Sequence, residues 1–331
     1  MNILVINVAR IGDTLLITPI LRAIKQAYPD HKLGCLAHPK RMEVLQGLPF
    51  IDTLAGITPG SQWWRARLLR QRPWDAALVY GQDAPLIRYA SRVAKQVVAF
   101  NQPLAASNRL LSHCVAKPDT LIHAVKGRLL LANALGIHTD DFSLSYQVTA
   151  EESHAAQAWL QPRLPQQSGP LVGMQFTSFA TKWYRDWPIE QFMALADALR
   201  QRHPAICFVL LGDKHNLAKE EMFYKQFPQH TVCASGLFTL RQSAALMQRL
   251  HLYIGVDTGP THLAGALRIP MVALYHCRFP GRNLIPLGHP LLRMIEHPHP
   301  HSPCPEQTPM QEIAVATVRQ AAQELLQATG W

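Results

Sequence analysis

The sequence predicts two successive α/β domains, each built on a parallel sheet covered by helices on both faces. Three observations carry this expectation. The chain has 331 residues, too many for one comfortable hydrophobic core and about right for two domains of ~150 residues each. Short aliphatic runs alternate with longer segments able to carry helices, the βαβ rhythm of a parallel sheet. The rhythm stops at a proline-rich stretch and then begins again.

In the first half the runs are Ile3–Val8, Leu33–Ala37, Ala76–Tyr80 and Val97–Phe100. The segment after the first run sets Ile17, Ile20, Leu21, Ile24 and Tyr28 at helical spacing, with Arg22, Lys25 and Gln26 turned away, so one face packs on a sheet. The second half repeats the pattern at Leu171–Phe176, Ile206–Leu211, Leu252–Val256 and Met271–Tyr275, with helical patterns at about 189–202, 239–249 and 260–267. Runs such as Cys207-Phe208-Val209-Leu210-Leu211 are apolar throughout, as strands buried on both faces are. Residues 161–170 hold three prolines and a glycine, which discourage helix and interior strand. The predicted division is therefore a first domain over 1–160, a second over 171–310 and a terminal helix within 311–331. Ile313, Val315, Ala316, Val318, Ala322, Leu325 and Leu326 would dock that helix on the body.

Composition narrows the function classes. Apolar residues make up 48% and charged residues 16%, without low-complexity tracts, so the chain is expected to be globular. The first residues lack a basic leader and cleavage site, and no run approaches the ~20 apolar residues of a membrane span. A cytoplasmic protein whose membrane contact is only peripheral is the expectation. Six cysteines without a Cys-x-x-Cys pair are expected to be reduced thiols rather than a zinc site or a disulfide framework. The net charge of +10 is uneven: residues 1–150 carry 17 Lys+Arg against 9 Asp+Glu, the remainder 15 against 13. The first half should face something anionic, whether nucleic acid, a phosphorylated glycolipid or an acidic membrane surface.

Three motifs lie where strands hand over to helices, the position at which doubly wound sheets bind ligands. Arg10-Ile11-Gly12-Asp13-Thr14 follows the first strand and brings a carboxylate, Asp13, to the top of the sheet; a helix-capping role is the alternative. Gly255-Val256-Asp257-Thr258-Gly259-Pro260-Thr261-His262-Leu263-Ala264 pairs the free N–H groups of a helix start with hydroxyl and imidazole donors, a fit for a diphosphate; an ordinary capped turn is the alternative. It is neither a dinucleotide fingerprint nor a Walker loop, which excludes NAD. Thr177, Ser178, Lys182 and Arg185, in the segment 176–188, gather hydroxyls and two cations at the exit of the second domain's first strand; the alternative is a solvated loop.

Together the segments Ile3-Leu4-Val5-Ile6, Arg10 to Leu16 with Thr18-Pro19, Lys182 with Arg185-Asp186-Trp187-Pro188, and Asp257 to Ala264 resemble the heptosyltransferases of glycosyltransferase family 9. Leu135-Gly136-Ile137 and the terminal helix fit the same family, and the likeness spans nearly the whole chain in order. The resemblance implies the GT-B class, two Rossmann-like domains whose parallel sheets face across a cleft. It further implies an inverting transfer of heptose, without metal or other cofactor, from ADP-heptose to a hydroxyl of the lipopolysaccharide inner core. The acceptor would be phosphorylated Kdo-lipid A or a partial core oligosaccharide, met at the cytoplasmic face of the inner membrane. Asp13 then matches the catalytic aspartate, the base that takes the acceptor proton. Thr177, Ser178, Lys182, Arg185, Thr258, Gly259 and His262 match donor-binding positions that stabilise the leaving diphosphate. Asp257, a like charge to phosphate, would order the loop or meet sugar hydroxyls.

The chain departs from the family pattern at Asn7, where many members carry Lys or Arg, and at Arg185-Asp186-Trp187-Pro188, which replaces Lys-x-Trp-Pro. Either Lys182 or Arg185 could then be the phosphate cation, with Asp186 pairing either. Arg10 and the run Trp63-Trp64-Arg65-Ala66-Arg67-Leu68-Leu69-Arg70 are candidates for the anionic acceptor, Arg65, Arg67 and Arg70 being the basic members of the run; a solvated basic helix face is the alternative. His297-Pro298-His299-Pro300-His301-Ser302-Pro303-Cys304 offers metal-ligating side chains, but its alternating prolines favour an extended surface connection. Two rival functions remain open: a family 9 transferase using another sugar nucleotide or a non-lipopolysaccharide acceptor, and a basic nucleic-acid-binding protein. Against the latter, no nucleic-acid-binding motif is recognisable, so no nucleic acid is expected as partner.

Overall fold

The computed structural model describes residues 1–58, 73–165, 169–178, 180–299 and 304–331. The chain forms two compact units, Met1–Gln147 and Val148–Trp331.

The first unit is a six-stranded, fully parallel sheet: β1 (Ile3–Asn7), β2 (Leu33–Ala37), β3 (Thr53–Gly56), β4 (Trp74–Tyr80), β5 (Ala94–Phe100) and β6 (His113–Val115), in the order β3-β2-β1-β4-β5-β6. Its helices are α1 (Ile11–Leu15), α2 (Thr18–Ala27), α3 (Ala84–Val93), α4 (Ala105–Asn108) and α5 (Ala124–Asn133). Helix α2 buries Ile20, Leu21, Ala23 and Ile24, the stripe that its spacing predicts. Arg22, expected in solvent, instead reaches the segment before the unit's end, bonding Ser145 Oγ at 2.6 Å and pairing with Asp141 at 2.9 Å.

The second unit repeats the wiring. Its strands are β7 (Leu171–Gln175), β8 (Cys207–Leu211), β9 (Thr231–Cys233), β10 (Leu252–Val256), β11 (Met271–Tyr275) and β12 (Leu292–Glu296), in the order β12-β11-β10-β7-β8-β9. The helices are α6 (Ala150–Leu160), α7 (Ile189–Arg202), α8 (Leu217–Gln226), α9 (Leu240–Met247), α10 (Gly259–Ala266) and α11 (Val315–Ala328). Phe176, Trp187, Phe192, Phe208 and Phe223 fill the core of this unit, and Val318, Ala322, Leu325 and Leu326 of α11 join it. Each large ring removed from water contributes on the order of 2–3 kcal/mol. The fully buried Trp187 also donates its Nε1–H to the Ile313 carbonyl at 3.0 Å, tying the Trp-Pro element to the approach of α11. Each unit is thus Rossmann-like, the pair of domains that the GT-B class requires.

Two expectations need correction. The division falls after Gln147, not within 161–170, because α6 belongs to the second unit. Thr149 and Glu152 form a capping box at its start, Trp159 meets Phe238 edge to face at 4.8 Å, and Glu152 accepts from Arg241 Nη2 at 2.7 Å. The proline-rich stretch only ends this helix. Second, the cysteines are not all thiols: Cys277 and Cys304, 27 residues apart in sequence, are joined as a disulfide with Cα atoms 5.9 Å apart. Tertiary folding, invisible to local spacing, brings them together. Among the described residues, no helix is long and apolar enough to cross a membrane.

The Arg241 guanidinium beside Glu152 holds its carboxyl below the ordinary carboxylate range. A depressed folded value means stability that is present at neutral pH and lost as pH falls through that value. Glu152→Gln is therefore expected to lower unfolding stability by about 1 kcal/mol at pH 7. In denaturant titrations the difference from wild type should vanish on acidification.

Candidate functional site

In the first unit the strand order reverses between β1 and β4, and the carboxyl ends of these two strands open a binding crevice there. Their register sets Asn7 beside Tyr80. Gly81 follows at φ +106°, a left-handed conformation that suits glycine and lets the chain leave the strand. The crevice encloses about 610 Å³ and is lined by Asn7, Asp13, Tyr80, Gln82, Lys117 and Arg128 among others. Asp13 lies in the first turn of α1, whose N-cap residue is Arg10. Its carboxylate, 45% exposed, is held by Arg128 Nη2 at 2.5 Å rather than by the helix end. Arg128 sits on α5 and is itself fixed by Nη1 donating to Ala124 O at 3.0 Å. Tyr80 Oη donates to the Arg128 carbonyl at 3.0 Å, bracing α5 against the sheet. Asn7 is buried in the crevice lining, and among the described residues its Nδ2 has no hydrogen-bond partner.

Sequence reading missed Arg128. Its pairing with Asp13 spans 115 residues, a separation that no local pattern signals. Arg10, the other expected acceptor contact, has an exposed side chain. Arg65, Arg67 and Arg70, with Trp63 and Trp64, lie outside the described residues.

In the second unit the reversal falls between β7 and β10. Gly255 is opposite Gln175 in register, and a Cβ at Gly255 would collide with the Tyr253 phenol. That phenol bonds Thr261 Oγ1 at 3.1 Å, and Thr261 Oγ1 donates to Val256 O at 2.5 Å, locking the start of α10 to the strand beneath it. Thr258 is the N-cap residue, but its hydroxyl accepts from no helix N–H and instead donates to Gln175 Oε1 at 3.2 Å. The Gly259 N–H, in the first turn, has no intrahelical carbonyl to bind, the geometry that receives anions, while Pro260 after it offers no donor.

Asp257 and Arg185 form a buried ion pair, and Arg185 Nη2 also donates to the Asp257 carbonyl at 2.6 Å. His262, also buried, places Nε2 3.8 Å from Asp257 Oδ1. Arg185 stacks on Phe279 with its guanidinium carbon 4.9 Å from the ring centre, and Lys182 Nζ lies 5.0 Å from the same centre. The two cations thus share one aromatic shelf, but Arg185 is only 8% exposed while Lys182 is half-buried. Asp186 pairs with neither of them. It accepts from the Ser178 N–H at 2.6 Å and pairs with Lys219 at 3.0 Å. Ser178 Oγ donates to Lys182 O at 2.5 Å, and Thr177 Oγ1 donates to Asn216 Oδ1, so both hydroxyls brace the loop. The structure brings all eight expected donor-side residues to one end of the second sheet.

A family model for glycosyltransferase family 9 (heptosyltransferase) matches residues 69–313. The chain is 26% identical over 283 residues to lipopolysaccharide heptosyltransferase 3 of Escherichia coli, covering 80% of each chain. Its fold is similar to a crystal structure of a family 9 glycosyl transferase from Veillonella parvula, with TM-score 0.84 at 20% identity over 99% of this chain and 97% of the other. It is also similar to the E. coli ADP-heptose lipopolysaccharide heptosyltransferase II, with TM-score 0.79 at 19% identity over the full length of both. With the family motifs at the carboxyl ends of two Rossmann-like sheets and the family match extending over most of the sequence, the chain belongs to glycosyltransferase family 9, the heptosyltransferases.

Proposed function

We propose that the protein transfers heptose, with inversion, from ADP-heptose to a hydroxyl of the lipopolysaccharide inner core. The observation that supports this most directly is that the family motif residues lie at the ligand-binding switch point of each sheet. A carboxylate stands in the first and an anion-receiving helix start in the second. In this reading Met1–Gln147 receives the acceptor and Val148–Trp331 the donor. Asp13, held by Arg128, accepts the proton of the acceptor hydroxyl as its oxygen attacks the anomeric carbon. Asn7 offers an amide donor to a neighbouring hydroxyl.

On the donor side the N–H of Gly259, the Thr258 hydroxyl and Lys182 stabilise the diphosphate as it leaves. Arg185 acts by holding Asp257 and the loop beneath, so Lys182 is the cation assigned to phosphate. The basic first half, with Arg10 and the Arg65–Arg70 run, meets phosphorylated Kdo-lipid A or a partial core at the cytoplasmic face of the inner membrane.

The test is release of ADP from ADP-heptose with lipid acceptors truncated at successive core positions. Release with one truncation and not its neighbours is expected. ADP release with no acceptor of the series, together with thermal stabilisation by UDP and not ADP, would move the protein to another sugar nucleotide of the same family.

A further inference from the structure

One cluster of metal-ligating side chains lies outside the transfer machinery. His276 and Cys277 follow β11, and Cys304 comes from the segment that leads to α11. Their ligand atoms all lie within 4.8 Å of one another. The 3.9 Å from His276 Nδ1 to each sulfur matches the ~3.5–4 Å between ligands around a tetrahedral cation with metal–sulfur bonds of about 2.3 Å, and reduction of the Cys277–Cys304 bond frees the two sulfurs to part to the same spacing.

We propose that the reduced protein binds one soft divalent cation, of the Zn²⁺ type, through His276 Nδ1, Cys277 Sγ and Cys304 Sγ. The tautomer of His276 suits this. Its Nε2 lies 2.9 Å from the Thr308 carbonyl, which can only accept, so the proton is on Nε2 and the lone pair on Nδ1. Nδ1 lies 3.9 Å from each sulfur. A carbonyl receiving the far N–H is also the usual support of a metal-bound imidazole. The cation would displace the Arg278 N–H contact to Nδ1, 3.1 Å across two residues, and the weak contacts of Cys304 Sγ with Pro305 O and Thr308 Oγ1.

His276 and Cys277 are buried and Cys304 is half-buried, which leaves a route of entry. His297, expected on a surface connection, is instead buried. Its ring centre lies 6.2 Å from that of His276, and its Nε2 lies 3.7 Å from the Glu312 carboxylate. A water would complete the coordination, since the His297 Nδ1 already accepts from the His299 N–H and leaves the proton on Nε2.

The disulfide and the cation are alternative states of the same pair. A dithiol reductant transfers two electrons and two protons to the Cys277–Cys304 bond, giving two thiols, and leaves as its own cyclic disulfide. Binding of the cation then releases both thiol protons to solvent. Either state ties the loop carrying Phe279, the shelf under Lys182 and Arg185, to the segment entering α11. The cation therefore has a structural role and takes no part in transfer.

The full-length protein, reduced with dithiothreitol, stripped with chelator and desalted anaerobically, would be titrated with Co²⁺. The expected result is a thiolate-to-cobalt charge-transfer band saturating at one equivalent and bleached by one equivalent of Zn²⁺. Protein left oxidised and the Cys277→Ser/Cys304→Ser variant should both lack the band. Should the double variant not fold by circular dichroism, Cys304→Ser alone should bind Co²⁺ more weakly, with a band of about half the intensity. No band in the reduced wild type, or an undiminished band in a serine variant, would overturn the proposal.

Discussion

Asp13→Asn is expected to reduce kcat by about 10²–10⁴-fold while leaving ADP affinity unchanged. The substitution keeps the shape of the side chain and its ability to accept from Arg128, and removes only the basicity. Asp13 faces a crevice formed wholly by the first unit, whereas the anion-receiving helix start belongs to the second, so the effect should fall on turnover and spare nucleotide binding. Steady-state ADP release and calorimetric ADP titration separate the two quantities. Full turnover in Asp13→Asn would reduce Asp13 to an anchor for Arg128. Arg128→Ala, which removes the positioning group and not the base, should cost less in kcat and raise the acceptor KM, with partial rescue by lysine.

The second large effect concerns folding. Arg185→Ala should destabilise the second unit by about 3–5 kcal/mol, because it leaves Asp257 buried without its counter-charge. The double variant Arg185→Ala/Asp257→Asn should lose less than the sum of the single substitutions, since the uncompensated charge is then gone. Urea titration followed by circular dichroism and intrinsic tryptophan fluorescence measures both. A loss under about 1 kcal/mol for Arg185→Ala would show that the pair is dispensable and would return Arg185 to the diphosphate as a candidate. Lys182→Ala, by contrast, should weaken ADP binding with little change in stability, since Lys182 is half-buried and lies at the rim of the same shelf.

The sequence revealed the strands in a systematic way. The runs read from pattern correspond to β1, β2, β4 and β5 and to β7, β8, β10 and β11, the four inner strands of each sheet. Those are covered on both faces over most of their length and so hold long apolar runs, although β5 opens with exposed Lys95 and Gln96. The four edge strands, β3, β6, β9 and β12, are short or half-exposed, as in Thr53–Gly56 and Leu292–Glu296, and leave no comparable run. The prolines at 162 and 165 end α6 rather than divide the units, and the capping box of Thr149 and Glu152, three residues apart, marks where the second unit's first helix begins. On the donor side every named residue came together, since each motif sits on a strand exit that the rhythm already located. What stayed hidden was pairing across distance: Arg128 with Asp13, Lys219 with Asp186, and Cys277 with Cys304.

The repeated strand order bears on how the chain is made. Every strand pairs within its own unit, so neither sheet waits on the other for a hydrogen-bonding neighbour. β1, which leaves the ribosome ahead of both its partners, is an inner strand, and β2 and β4 follow it by residue 80. A nascent chain of ~150 residues clear of the exit tunnel therefore already holds a complete ladder, and at 5–20 residues per second this precedes the last strand of the second unit by several seconds at least. Vectorial synthesis thus gives the half bearing Asp13 time to close its core before the half bearing Asp257 can compete for it.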